Sequence, residues 1–209
     1  MRPASVALAL ISSAVLMNIA STAKADVVTI AMLRTRYSEQ IVETLFEERR
    51  VVLPRGDDNA EGFRALVVFD EPPGRVMRLL SQSARQAEYR PELREVELVG
   101  RHEDRNIEQH RLRIAFINIV YRVSTRVDFE QSRIIWKLDD RYDNGVARIE
   151  GYWKIDELAD GRSLGHFATI VDVGAALPDF LENAITAKLL PSTLENTRRW
   201  VDSNGRYRP

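Results

Sequence analysis

Apolar and polar residues alternate along the central part of the chain, and this pattern predicts a series of β-strands. A period of two is typical of a strand that has one buried face. The intervening Asp143-Asn144-Gly145 and Asp160-Gly161 suit turns that need a positive φ. Short turns between consecutive strands favour antiparallel pairing. The predicted strands are 63–69, 93–99, 106–117, 119–128, 131–139, 145–156 and 163–172.

Helical spacing replaces this alternation in three places. Ser38 precedes an amphipathic stretch that ends near Arg49-Arg50, as expected for a capped helix. A second helix follows Pro72-Pro73 and extends to about Ala87. The third begins at Leu177-Pro178, is interrupted at Pro191 and continues to about Ser203.

Helices segregated from an antiparallel sheet are typical of an α+β fold. A long curved sheet around an apolar terminal helix leaves a space that either fills with side chains or holds a ligand. Small residues such as Gly151 stand between the large aromatic residues and favour a void, although the aromatics could also fill the core. The predicted ligand-binding residues are Phe116, Tyr121, Trp136, Trp153, Phe167, Phe180 and Ile185.

The first 25 residues have the features of a secretory signal peptide. Arg2 precedes an apolar run from Ala4 to Ala20, and Ala23-Lys24-Ala25 offers the small residues that a signal peptidase accepts. The alternative is an uncleaved membrane anchor, but the run is barely long and apolar enough to span a bilayer, which takes about 20 strongly apolar residues. We therefore expect cleavage between Ala25 and Asp26 and a soluble secreted or periplasmic protein with no stable membrane anchor. The predicted segments are a signal peptide at 1–25, an N-terminal helix and linker at 26–62, and one domain at 63–209.

Charge and cysteine content exclude several classes of function. Loss of the leader leaves 28 basic and 31 acidic residues, interspersed without a basic block, so no nucleic-acid partner is expected. The chain has no cysteine, which excludes disulfides, thiol catalysis and lipid attachment to an N-terminal Cys.

Groups that could perform catalysis are few. His102 and His110 are eight residues apart, a spacing unlike that of a close metal-ligand pair, so we predict no metal site. No cofactor is expected either. Among the histidines, His166 lies in an apolar strand and is the candidate catalytic acid or base if it faces the cavity. The alternative, that His166 lies on the outer face of the sheet or bonds to a neighbouring backbone group, is favoured because the residue has no visible partner. Arg111 and Arg113 share one face, which we expect to be the outer one.

Several passages together resemble the START-like helix-grip superfamily, in particular its polyketide cyclase/dehydrase and lipid-transport group, which includes coenzyme Q-binding START-type proteins. The resemblance spans about residues 63–203 and rests on packing and turn positions. Its motifs are Val67-Val68-Phe69-Asp70-Glu71-Pro72-Pro73, Tyr89-Arg90-Pro91-Glu92-Leu93, Gly151-Tyr152-Trp153 and Ala176-Leu177-Pro178-Asp179-Phe180-Leu181.

The resemblance implies a helix-grip fold, a curved antiparallel sheet wrapped around a long C-terminal helix, with a cavity for a hydrophobic molecule. The sequence-based hypothesis is an exported protein that binds or transports a lipid or an isoprenoid or polyketide-like molecule. Two alternatives remain. One is a cyclase or dehydratase that uses His166 or a tyrosine hydroxyl, and the other is an interaction module with a filled core and a partner docked on residues 26–62.

Overall fold

A curved antiparallel sheet dominates the computed structural model, which describes residues 27–53, 62–114, 116–174 and 185–209. The predicted signal peptide, its cleavage site and Phe180 lie outside these residues. The strands are β1 (Val27–Val28), β2 (Arg50–Val52), β3 (Phe63–Phe69), β4 (Leu93–His102), β5 (Arg105–Ile114), β6 (Ile117–Asp128), β7 (Arg133–Leu138), β8 (Arg148–Leu158) and β9 (Ser163–Asp172).

The helices lie at the two ends of the described chain and between β3 and β4. They are α1 (Ile30–Arg36), α2 (Glu39–Glu48), α3 (Pro73–Leu80) and α4 (Leu190–Asp202). A 3₁₀ turn at Ser83–Glu88 follows α3, and a π-helical turn at Ile185–Leu189 precedes α4. Within the described residues, no helix is long and apolar enough to span a bilayer.

The order of the strands across the sheet confirms the predicted antiparallel arrangement. It is β2-β3-β9-β8-β7-β6-β5-β4, with β1 paired in parallel to the end of β8. The strands predicted at 63–69 and 163–172 have these bounds in the structure. The strand predicted at 106–117 ends earlier, at Ile114, because the chain turns there into β6. The architecture is the α+β helix-grip fold expected from the sequence.

The described part of the C-terminal helix packs against the inner face of the sheet. Leu194, Trp200 and Val201 of α4 are almost completely buried. The indole Nε1 of Trp200 donates a hydrogen bond to Glu88 at 3.2 Å, and the ring lies 4.6 Å from that of Tyr89. These contacts attach α4 to the 3₁₀ turn, so one wall of the space inside the sheet is fixed.

Residues 27–53 form an outer layer on the opposite face of the sheet. The predicted helix after Ser38 is confirmed as α2, whereas α1, β1 and β2 were not predicted. Leu33 and Leu45 pack in one apolar cluster with Leu66 and Leu164 of the sheet. Strand β2 pairs with β3, so part of the segment predicted as a helix and linker belongs to the sheet.

Ion pairs join this outer layer to the C-terminal helix. Arg49 lies 2.6 Å from Asp70 and also pairs with Asp202 of α4. Arg50 Nε lies 3.3 Å from a carboxylate oxygen of Glu195, also on α4. Helix α4 is therefore held by apolar contacts on one side and by charged partners on the other.

A cavity between the sheet and the terminal helix

A cavity of about 170 Å³ lies between the inner face of the sheet and the C-terminal helix. One water molecule needs only about 10–15 Å³ on a comparable measure. Most of the wall is aliphatic or aromatic, which favours an apolar occupant. Strands β5 to β9 supply most of it, and the aliphatic part includes Leu112, Ile119, Val123, Ile149, Val171 and Leu189.

Five of the predicted ligand-binding residues surround this cavity, namely Tyr121, Trp136, Trp153, Phe167 and Ile185. The four aromatic residues lie on β6 to β9, where the period of two turns their side chains inward. The Phe167 ring lies 4.7 Å from that of Trp153 and 5.8 Å from that of Trp136.

Gly151 makes room for one of these rings. A Cβ atom built at this glycine would lie 2.5 Å from the Trp136 indole and 2.4 Å from the carbonyl oxygen of Ala168. A larger side chain would displace the indole or the backbone of β9. The small residue that the sequence pattern singled out therefore has a direct role in shaping the wall.

The prediction for Phe116 is wrong, because the structure places this residue outside the cavity. Its side chain is 79% exposed in the turn between β5 and β6. The alternation that predicted an inward position ends at Ile114, two residues earlier, where the strand ends. Ile114 itself lines the cavity.

One part of the wall is polar and was not predicted from the sequence. Glu108 and His110 lie on β5, both turned inward and only 3% and 6% exposed. Ser83 donates a hydrogen bond to Glu108 at 2.5 Å, and Thr125 donates another at 3.0 Å. The His110 Nε2 atom lies 3.8 Å from the same carboxylate. The sequence does indicate the direction of these two side chains. Glu108 and His110 are four and two residues before Leu112 in the same strand, so all three side chains lie on the inward face.

A second charged pair lies in the same wall. Arg90 donates to Glu92 at 3.1 Å and to the side-chain oxygen of Gln86 at 2.9 Å. Thr193 of the terminal helix also donates to Glu92, at 3.1 Å. Helix α4 thus contributes a polar contact to the cavity wall. We refer to Ser83, Arg90, Glu92, Glu108, His110 and Thr125 as the polar wall.

Burial and neighbours fix the charge states in the polar wall. Burial raises the pKa of Glu108, but the His110 ring and the Ser83 hydroxyl outweigh it and lower the pKa overall. Burial lowers the pKa of His110, and Glu108 offsets this only in part. At neutral pH, Glu108 is therefore an anion and His110 a neutral ring. The Tyr121 ring stacks on His110 at 5.1 Å, and burial raises the pKa of its hydroxyl.

His166, the candidate catalytic residue, lies on the outer face of the sheet. Its Nε2 atom is 3.0 Å from Asp156, which also pairs with Lys154 at 3.0 Å. Leu33 and Tyr37 of the outer layer line a small depression beside it. The outer position that we favoured is the one observed, and the sheet separates His166 from the cavity. Arg111 also lies outside as expected, 3.0 Å from Glu95.

Comparisons with known proteins agree with the fold. The model of the family described as polyketide cyclase/dehydrase and lipid transport matches residues 62–198. The comparison with curated protein sequences gave no match.

Solved structures with the same fold include the Zhui aromatase/cyclase from Streptomyces sp. R1128, which is 14% identical with a TM-score of 0.58 over 68% of this chain and 94% of that one. A START superfamily protein from Mycobacterium smegmatis is 14% identical, with a TM-score of 0.57 over 67% and 96% of the two chains. A STAR-related lipid transfer protein from Xanthomonas axonopodis is 15% identical, with a TM-score of 0.55 over 73% and 98%. At these identities, the likeness shows the fold alone.

Proposed function

The chain belongs to the polyketide cyclase/dehydrase and lipid transport family, and we propose that it is an exported protein that binds or transports a hydrophobic ligand. The ligand class that we propose is a lipid or an isoprenoid or polyketide-like molecule. The observation that carries the proposal is the apolar cavity under the terminal helix, walled by Trp136, Trp153 and Phe167. Burial of about 200 Å² of apolar ligand surface there, at about 25 cal/mol per Å², would contribute about 5 kcal/mol before ordering costs.

A cavity-blocking variant tests this proposal. Leu112 lines the cavity, so Leu112→Trp should fill part of it. We expect this variant to weaken the binding of the neutral fluorescent probe N-phenyl-1-naphthylamine by about tenfold or more, the equivalent of about 1.4 kcal/mol. Arg111→Trp is the matched control, because it adds the same side chain to the next residue of β5 on the outer face. Native mass spectrometry and organic extraction of the purified protein would identify a co-purified ligand.

Equal binding by both variants would show that the probe does not enter this cavity. The proposal fails if the wild-type protein neither carries an apolar molecule nor takes up the probe. Circular dichroism of each variant establishes that the fold is intact before binding is compared.

Export is the part of the proposal that rests on the leader sequence. We expect the protein recovered from the periplasm or the medium of a bacterial host to begin at Asp26, as read by N-terminal sequencing. Ala25→Phe should block cleavage, because a signal peptidase needs a small residue at this position. A mature protein that retains residues 1–25 would contradict this part and leave ligand binding untouched.

A cyclase or dehydratase activity in the same cavity is a second candidate function. Glu108 beside a neutral His110, with the Tyr121 ring stacked on it, is the observation in its favour, because a neutral imidazole can accept a proton. The test is incubation with a linear poly-β-ketone thioester and detection of an aromatic product by absorbance. We expect His110→Gln to abolish turnover while the probe still binds, and no turnover by the wild-type protein would exclude this candidate.

A further inference from the structure

The charges of the polar wall do not balance. Among the described residues that line the cavity, Arg90 is the cationic one, while Glu92 and Glu108 are both carboxylates. Arg90 already binds Glu92 at 3.1 Å and Gln86 at 2.9 Å. Glu108 is hydrogen-bonded to hydroxyl groups, which leave its charge in place. The described wall therefore carries one more negative than positive charge, and Glu108 is only 3% exposed.

His110 is a polar group that still lacks a hydrogen-bond partner. Within the described part of the chain, its Nε2 atom lies 3.8 Å from the Glu108 carboxylate, beyond normal hydrogen-bond length, and neither ring nitrogen has a closer partner, although the residue is only 6% exposed. A buried polar group in this state costs free energy, so a bound molecule that offers His110 a donor or an acceptor would gain affinity from it. A neutral imidazole has one nitrogen that donates and one that accepts.

We propose, building on the ligand-binding function above, that the cavity selects an amphiphile with an uncharged hydroxyl-type head and rejects the corresponding carboxylate. The head group would lie against His110 and Glu108, and the apolar part against the aromatic wall. This narrows the ligand class to alcohols, phenols and similar neutral molecules.

Hydrogen-bond chemistry gives the reason for this selectivity. A hydroxyl both donates and accepts, so it can satisfy either nitrogen of the neutral His110 ring or donate to the Glu108 carboxylate. A carboxylate head can only accept, and it would lie close to Glu108 in a medium that screens charge poorly. Since the Arg90 guanidinium is already paired with Glu92, an anionic head would gain less from it than from an unpaired cation.

Matched ten-carbon probes test this inference. 1-Decanol and decanoate have the same apolar length and differ in the charge of the head, and each can be titrated against bound N-phenyl-1-naphthylamine at pH 7. We expect decanol to displace the probe with a Kd at least about tenfold lower than that of decanoate. Decanoate that binds as tightly as decanol to the wild-type protein would overturn the inference.

Removal of the excess charge should reduce the discrimination. We expect Glu108→Gln to narrow the ratio of the two Kd values about tenfold, mainly through tighter binding of decanoate. Glu92→Gln is a second variant that changes the charge by the same amount at the other carboxylate of the wall, in case the first does not fold. A ratio that stays at the wild-type value in the folded variants would show that these carboxylates do not set the selectivity.

The ligand-binding function and this inference fail in different ways. If N-phenyl-1-naphthylamine binds and both ten-carbon probes displace it equally, the function stands and the selectivity is refuted. If the fluorescent probe and both ten-carbon molecules all fail to bind, the proposed function itself is refuted, and the selectivity with it.

Discussion

Glu195 of α4 connects the outer layer to the C-terminal helix, and Glu195→Gln tests the strength of that connection. Its carboxylate lies 2.6 Å from Arg198, 2.6 Å from Arg199 and 3.3 Å from Arg50. Burial raises the pKa of Glu195, but hydrogen bonds from Arg198 and Arg199 outweigh this and lower it from 4.5 to about 2. The substitution keeps the shape of the side chain and removes its charge.

The size of the effect follows from this pKa. A fall from 4.5 to about 2 corresponds to at most about 3.4 kcal/mol of folding free energy. The Glu195 side chain is 20% exposed and that of Arg199 is 52% exposed, so solvent screens part of this interaction. We therefore expect Glu195→Gln to lower the free energy of unfolding at pH 7 by about 1–2 kcal/mol.

The sign of the pH dependence is fixed because the pKa is lower in the folded state. The contribution of Glu195 is fully present above about pH 4.5 and is lost as the pH falls towards 2. Urea denaturation gives the free energy of unfolding of wild type and of Glu195→Gln at each pH. We expect the difference between the two proteins to be smaller at pH 3 than at pH 7 by more than half. The exposed Glu130→Gln is the control and should change little at either pH. An undiminished difference at pH 3, or none at pH 7, would refute the reasoning.

Three further variants test other parts of the structure by urea denaturation. Trp200→Phe removes the hydrogen bond to Glu88 and part of a fully buried ring system and should cost about 1–3 kcal/mol, whereas an unchanged midpoint would show that neither contributes to stability. Gly151→Ala forces a Cβ atom against Trp136 and should cost about 1–3 kcal/mol and alter near-ultraviolet circular dichroism. Leu45→Ala, in the fully buried outer cluster, should cost about 2–5 kcal/mol in a single transition, and a separate early transition would show that the outer layer unfolds independently.

The face on which a strand residue lies could be predicted from the sequence wherever the strand continued. Tyr121, Trp136 and Trp153 are all inward, because a period of two leaves each side chain only two directions. The prediction for Phe116 was wrong because a hairpin turn ends the alternation before this residue. The position of that turn depends on the pairing of β5 with β6, which the alternation does not reveal. Strands β1 and β2, of two and three residues, are too short to show any period.

The hydrogen bonds of the polar wall could not be predicted from the sequence, for a different reason. The inward direction of Glu108 and His110 could have been inferred from their alternation with Leu112. Their partners could not, because Ser83 lies in the 3₁₀ turn and Thr125 on a neighbouring strand. The tertiary fold brings these groups together. Because the two hydroxyls donate hydrogen bonds to Glu108, its carboxylate stays ionised although it is buried.

Helix α4 both lines the cavity and forms ion pairs with the outer layer. Thr193 and Leu194 line the cavity, while Glu195 and Asp202 pair with arginines of the outer layer. Displacement of this helix by an incoming ligand would have to stretch those ion pairs as well as open the apolar core. The described part of the helix is therefore better suited to serve as a fixed wall than as a gate. If the wall is fixed, ligand selectivity depends on groups that are already in position around the cavity. The charge of Glu108 should then favour a ligand with a neutral head group over one with an anionic head group.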